Sequence, residues 1–161
     1  MTTNTQTRSL LSALGLGVVI LAGLLAEHAS AARPTVIELT QTGCQFVESE
    51  NGVDRGFVST MKSDCEAINA ETGAARLTEA KILTLKPGTY IFRVTNKNVP
   101  YQLGFWLRGS GIVGRVALPS VSGGGLNPGA TKDYAVTLKP GEYLYSCPLN
   151  STPDYKLVVE G

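Results

Sequence analysis

Three cysteines, Cys44, Cys65 and Cys147, are the residues of this 161-residue chain best equipped for chemistry. Cys147 stands in YLYSCPLNSTPDYKLVV (residues 143–159), between two strand-like runs. Asn150 follows after two intervening residues and Tyr155 after four more. A thiolate in such a turn is a nucleophile or a soft-metal ligand. Thiol redox chemistry requires a lowered thiol pKa, and no helix start or adjacent cation is evident, Lys156 being the nearest candidate. Metal chemistry requires partners, and the usual one is scarce: His28 is the only histidine.

His28 lies in MTTNTQTRSLLSALGLGVVILAGLLAEHASAA, which has Arg8, an apolar run from Leu10 to about Ala26, and Ala29-Ser30-Ala31. A basic start, apolar middle and A-x-A end describe a secretory signal peptide over residues 1–31, with cleavage expected after Ala31 or Ala32. The alternative is a retained membrane anchor, for which the run is slightly short. Cleavage leaves an exported domain, 32–161, periplasmic or secreted, with no imidazole and therefore no Ser/His/Asp machinery. A net charge of +1 and the lack of a basic run argue against a nucleic-acid partner. A monomer without membrane contact is expected after cleavage. The Gly-rich stretches GSGIVG and SGGGLNPG do not join a strand to a helix, so they are weak phosphate loops. Glu48, Glu50, Asp54 and Asp64 lack calcium-loop spacing and read as a solvated acidic loop.

An odd cysteine count in an exported protein leaves one thiol over. Cys44 and Cys65 share one loop-like segment and are the expected disulfide, leaving Cys147 free, although sequence does not fix the pairing. Such a bridge would stabilise the fold by roughly 3 kcal/mol in the chain-entropy picture.

The elements that must position these groups are mostly strands. PTVIELT (34–40) reads as the first. Residues 41–75 show no clean period and are expected to be a disulfide-tied loop with at most a short helix near Ser63–Asn69. AKILTL, TYIFRVTN, QLGFWLRG, IVGRVALPSV, DYAVTL, EYLYSC and YKLVV read as strands, with SGGGLNPGAT (122–131) as a loop. TLKPGTY (84–90) recurs as TLKPGEY (137–143), the same Pro-Gly corner used twice. The fold class is all-β: a sandwich or flattened barrel with Greek-key crossings.

The Cys-x2-Asn-x4-Tyr spacing resembles the late ligand loop of the cupredoxin family, closest to plastocyanin-like chains, where His and Met stand at the second and third positions. VTNKNVPYQLGF (94–105) resembles the family's early ligand turn, with Tyr101 in the histidine place after Pro100. Gln102 follows, at a position that in the family often braces the cysteine loop. The resemblance covers roughly residues 80–161. It implies a cupredoxin-like Greek-key sandwich whose type 1 copper site, at Tyr101, Cys147, Asn150 and Tyr155, keeps only the thiol. It also implies a docking patch at that end, to which Trp106 and Leu149 would belong. The expected function is non-enzymatic: binding of an unknown protein or small ligand, with no cofactor. The alternative is a copper or electron-transfer protein with a nonstandard site centred on Cys147.

Overall fold

The computed structural model describes residues 1–3 and 33–161; the expected signal peptide and His28 lie outside them. Among the described residues, nine strands form two sheets. The first contains β1 (Thr35–Thr42), β2 (Gln45–Phe46), β4 (Gly88–Asn96) and β7 (Thr131–Leu138), in the order β2-β1-β4-β7. The second contains β3 (Leu83–Leu85), β5 (Leu103–Gly109), β6 (Val121–Leu126), β8 (Gly141–Ser146) and β9 (Tyr155–Val159), in the order β3-β9-β8-β5-β6. The chain crosses between sheets repeatedly, giving the all-β Greek-key sandwich expected, with the disulfide-tied insertion on one edge.

Alternation builds the core. Tyr90, Phe92 and Val94 of β4 point inward, as do Tyr134, Val136 and Leu138 of β7 and Tyr143 and Tyr145 of β8. Period-2 patterning of this kind places one apolar face per strand between the sheets. Phe46, Phe105, Tyr145 and Tyr155 meet there at ring centroid distances of 5.6 to 6.3 Å. Aromatic pairs add roughly 0.5–1.5 kcal/mol each beyond their burial.

Two segments differ from the sequence reading. The expected loop with a short helix contains an 18-residue helix, α1 (Lys62–Glu79), preceded by a 3₁₀ turn at Glu48–Glu50. Its inner face is Cys65, Asn69, Gly73 and Arg76, spaced for a helix but almost devoid of large apolar side chains. Hydrophobic periodicity therefore gives no signal there. The start is fixed by Asp64, whose carboxylate accepts hydrogen bonds from the backbone N–H groups of Thr60 and Met61.

The second difference exchanges a strand for a loop. IVGRVA forms a helix, α2 (Gly111–Ala117), while the residues 122–126, read as the start of a loop, belong to edge strand β6, Val121–Leu126. β-branched content favours a strand for IVGRVA, but the helix is locked by close approach: a Cβ on Gly109 would stand 2.1 Å from the Gly114 carbonyl oxygen. In β6 the glycines allow tight packing, since a Cβ on Gly104 would meet the Gly123 oxygen at 2.7 Å. The AKILTL strand is also shorter than read, limited to Leu83–Leu85. Among the described residues no helix is long and apolar enough to cross a membrane.

Candidate functional site

At one end of the sandwich, three segments converge on Cys147: the β1–β2 corner, the turn after β4, and the β8–β9 loop. Cys44 and Cys65 form the expected disulfide and Cys147 is a buried free thiol. The backbone N–H groups of Gly104 and Asn150 donate to its sulfur at 3.4 and 3.3 Å, and the Gln41 amide also faces it. Burial pushes the thiol pKa up, more than these hydrogen bonds pull it down. A neutral thiol at pH 7 is a poor nucleophile and a poor ligand.

Asn150 binds the three segments together. Its Nδ2 donates to the Thr42 carbonyl at 2.8 Å, and its Oδ1 accepts from the Cys44 N–H at 3.1 Å and the Tyr101 hydroxyl at 3.4 Å. The Cys65 sulfur lies 3.2 Å from the same oxygen. The side chain is fully buried, so every one of these bonds is made out of water's reach. Asn150 thus bridges segments more than a hundred residues apart, and clamps the disulfide to the cysteine loop.

Tyr101 is positioned by Asn96, whose buried amide spans the turn. Asn96 Nδ2 donates to the carbonyls of Val99 and Tyr101, and its Oδ1 accepts from the Val99 N–H. The Tyr101 hydroxyl also donates to Ser59 at 3.1 Å, and burial raises its pKa. Tyr101, Cys147 and Asn150 therefore share one corner. Tyr155 is directed elsewhere: its hydroxyl donates to Glu50 Oε1 at 2.6 Å. Gln102 is exposed and donates to Asn127; Gln41 supplies the contact with the cysteine corner, donating to the Gly104 carbonyl at 2.8 Å. Gln41 was not singled out in the sequence, where it opens the segment 41–75 that shows no clean period. Its Oε1 is buried with no partner among the described residues.

The acidic segment is not a solvated loop. Glu50 is 2% exposed and Arg76 3% exposed. Arg76 Nη2 reaches Glu50 Oε1 at 2.5 Å, and Arg55 Nε reaches Oε2 at 2.5 Å. Burial alone would raise the Glu50 pKa, but hydrogen bonds from Arg76, Tyr155 and Arg55 outweigh it and leave the pKa lowered. Burial, then the bond to Glu50, drives the Tyr155 pKa upward. This cluster fastens α1 and the 3₁₀ turn to the open edge between the sheets.

The donor set at the Cys147 corner does not suit copper. It offers a neutral thiol, a phenol with a raised pKa and an amide oxygen already in use, with no imidazole. Among the described residues no group of three or more His, Cys, Asp or Glu side chains could hold a metal ion.

Beside the corner, Gly104, Phe105, Trp106, Ser122, Gly123, Gly124, Pro148 and Leu149 line a groove of about 330 Å³. Leu149 is exposed, and Trp106 is half-buried with the Arg108 guanidinium 4.0 Å above its ring. Arg108 is itself held by Asp154 at 2.7 Å, which fixes the indole as a rigid wall.

No family model matches the chain, and no curated protein matches it. Among solved structures it is similar to auracyanin B, at 15% identity and a TM-score of 0.47, over 79% of this chain and 89% of that one. It is also similar to Lac15 from a marine microbial metagenome, at 15% identity and a TM-score of 0.39, over 98% of this chain. A laccase from Pediococcus acidilactici matches at 12% identity and a TM-score of 0.40, over 81% of this chain. The chain spans 32% and 28% of the lengths of those two proteins. Such scores carry no residue-by-residue correspondence.

Proposed function

We propose that this chain is an exported, cupredoxin-like binding module without a type 1 copper centre, and that it is not an enzyme. It contacts a protein partner through the groove between Trp106 and Leu149. The observation that carries this reading is Asn150: where the family resemblance expects an imidazole, an amide spends its hydrogen-bonding capacity on Thr42, Cys44 and Tyr101. A position so committed to holding the fold together is not available to a ligand. The groove supplies what a binding surface needs, a rigid aromatic wall beside an exposed aliphatic side chain. The Cys44–Cys65 bridge supports export, since disulfides persist in oxidising compartments.

Titration of the folded protein with Cu(II) and Cu(I), with a Cys147→Ser control, tests the reading. Absence of stoichiometric copper and of thiolate-to-copper absorption is expected. Stoichiometric metal that disappears in the control would sink it in favour of a nonstandard copper site on Cys147.

A further inference from the structure

Helix α2 combines the composition of a core strand with the exposure of a surface loop. Ile112, Val113 and Val116 are 86%, 79% and 86% exposed, and no residue of the helix is buried. Positions i, i+1 and i+4 fall on one side of a helix, so the three aliphatic side chains form one contiguous face. That face cannot roll inward. Gly109 and Gly114 hold the helix against the end of β5 at backbone contact distance, and Leu118 packs over Gly141.

The strand registers place α2 at the end of the sandwich opposite Cys147. Gly109 pairs with Tyr143, Gly141 with Val159, Gly88 with Leu138, and Thr35 with Tyr90. Residue 35 is thus at the same end. The charges at this end are mostly positive. Arg33, Arg115 and Lys139 are exposed, with no carboxylate partner among the described residues. The nearby carboxylates, Glu160 and Glu142, are paired with Lys86 and Lys156.

An exposed aliphatic face on a helix that carries Arg115, at an end of the fold with further unpaired cations, is the chemistry of a helix lying in a lipid interface. The apolar side enters the boundary of headgroups and acyl chains, and the cations meet anionic headgroups. We infer that the α2 end docks on an anionic bilayer surface, with Ile112, Val113 and Val116 inserted and Arg33, Arg115 and Lys139 at the phosphates. The groove beside Trp106 then faces away from the membrane. This departs from the expectation of no membrane contact, which rested on removal of the leader alone; it does not depend on the copper reading.

The test uses the full chain with vesicles of phosphatidylcholine, alone or mixed with phosphatidylglycerol, and follows amide hydrogen exchange. Exchange across Ile112–Ala117 is expected to slow several-fold with anionic vesicles, and less with neutral ones. The variant Ile112→Ser/Val113→Ser/Val116→Ser should lose that protection while its thermal melt stays unchanged. Arg115→Glu/Lys139→Glu should abolish the preference for anionic lipid. Vesicle-bound protein whose α2 amides exchange as fast as in free protein would overturn the inference, because the apolar leader alone would then be the anchor. Failure to bind vesicles would overturn it too, as would lipid-independent protection that grows with protein concentration and marks self-association. The wild-type exchange decides the matter even if the serine variant fails to fold.

Discussion

Two buried polar clusters hold the α1 insertion to the sandwich, and they work by different physics. At the Cys147 corner, Asn150 joins neutral groups: two backbone positions, a phenol and the edge of a disulfide. Along the open edge, Glu50, Arg76 and Arg55 join full charges, with Tyr155 completing the carboxylate's shell. Neutral bonds contribute modestly and are insensitive to pH. Buried charges contribute little net when paired but are expensive when one partner is removed. The difference between the clusters is therefore in how each one fails.

Removing Arg76 should do the most damage. Arg76→Met leaves Glu50 buried with only exposed-side compensation from Arg55, and a loss of about 3–5 kcal/mol is expected. Chemical denaturation at neutral pH measures it, and the loss should shrink in acid, where Glu50 can take a proton. A loss that is the same at both pH values would mean that charge is not what Arg76 supplies. Next comes the disulfide: Cys44→Ser/Cys65→Ser reopens a loop with sequence separation 21 and should lower stability by about 3 kcal/mol, read as a drop in Tm. Asn150→Ala strands the Thr42 carbonyl and the Cys44 N–H, for an expected loss of about 2 kcal/mol. Unlike Arg76→Met, it should show the same loss at acid and neutral pH; a strong pH dependence would merge the two clusters into one.

The smallest effects are titrations of the intact protein. Glu50 has a folded pKa below its ordinary 4.5, so its contribution is present above that value and is lost as pH falls through the folded one. Tyr145 has its pKa pushed up to about 12 by burial, against an ordinary 10.0. Its neutral form is favoured in the fold, so that stability is intact below pH 10 and declines between about 10 and 12. Tyr155 extends the decline further into alkali. Because the buried Cys147 thiol, its pKa also raised above the ordinary 9.0, adds its own alkaline loss, denaturation midpoints of Cys147→Ser measured across both limbs would show the plateau; a variant whose stability starts to fall near pH 8 would contradict the tyrosine assignment.

The part of this architecture legible in the sequence was the part written in apolar alternation. Tyr90, Phe92 and Val94, or Tyr143 and Tyr145, announce their strands because burial of every second side chain is a local pattern. The spacing from Cys147 to Asn150 was legible for the same reason, since a ligand loop is a short contiguous stretch. α1 was not, because Asn69 and Arg76 bury polar groups whose partners, Cys44, Ser151 and Glu50, lie elsewhere in the chain. Gln41 was missed on the same ground: nothing near it in sequence requires an amide. α2 and β6 were exchanged because propensity favours Ile and Val for the strand, whereas the place at the sheet edge was decided by which segment could approach Gly104 and Tyr134 without a side chain in the way.

By itself, the sequence determined an all-β fold, an odd number of cysteines and the absence of an imidazole beyond His28, because alternation, cysteine count and composition are properties of the chain. Tertiary structure decided the roles of the polar residues around Cys147 and α1. Whether Asn150 is a loose turn residue or a clamp depends on Thr42 and Cys44 arriving beside it. Whether Glu50 is a solvated acid or a buried ion depends on Arg76 reaching across from α1. Hydrogen bonds and ion pairs act over a few ångströms in space with no regard for separation along the chain, so only folding brings these partners within range.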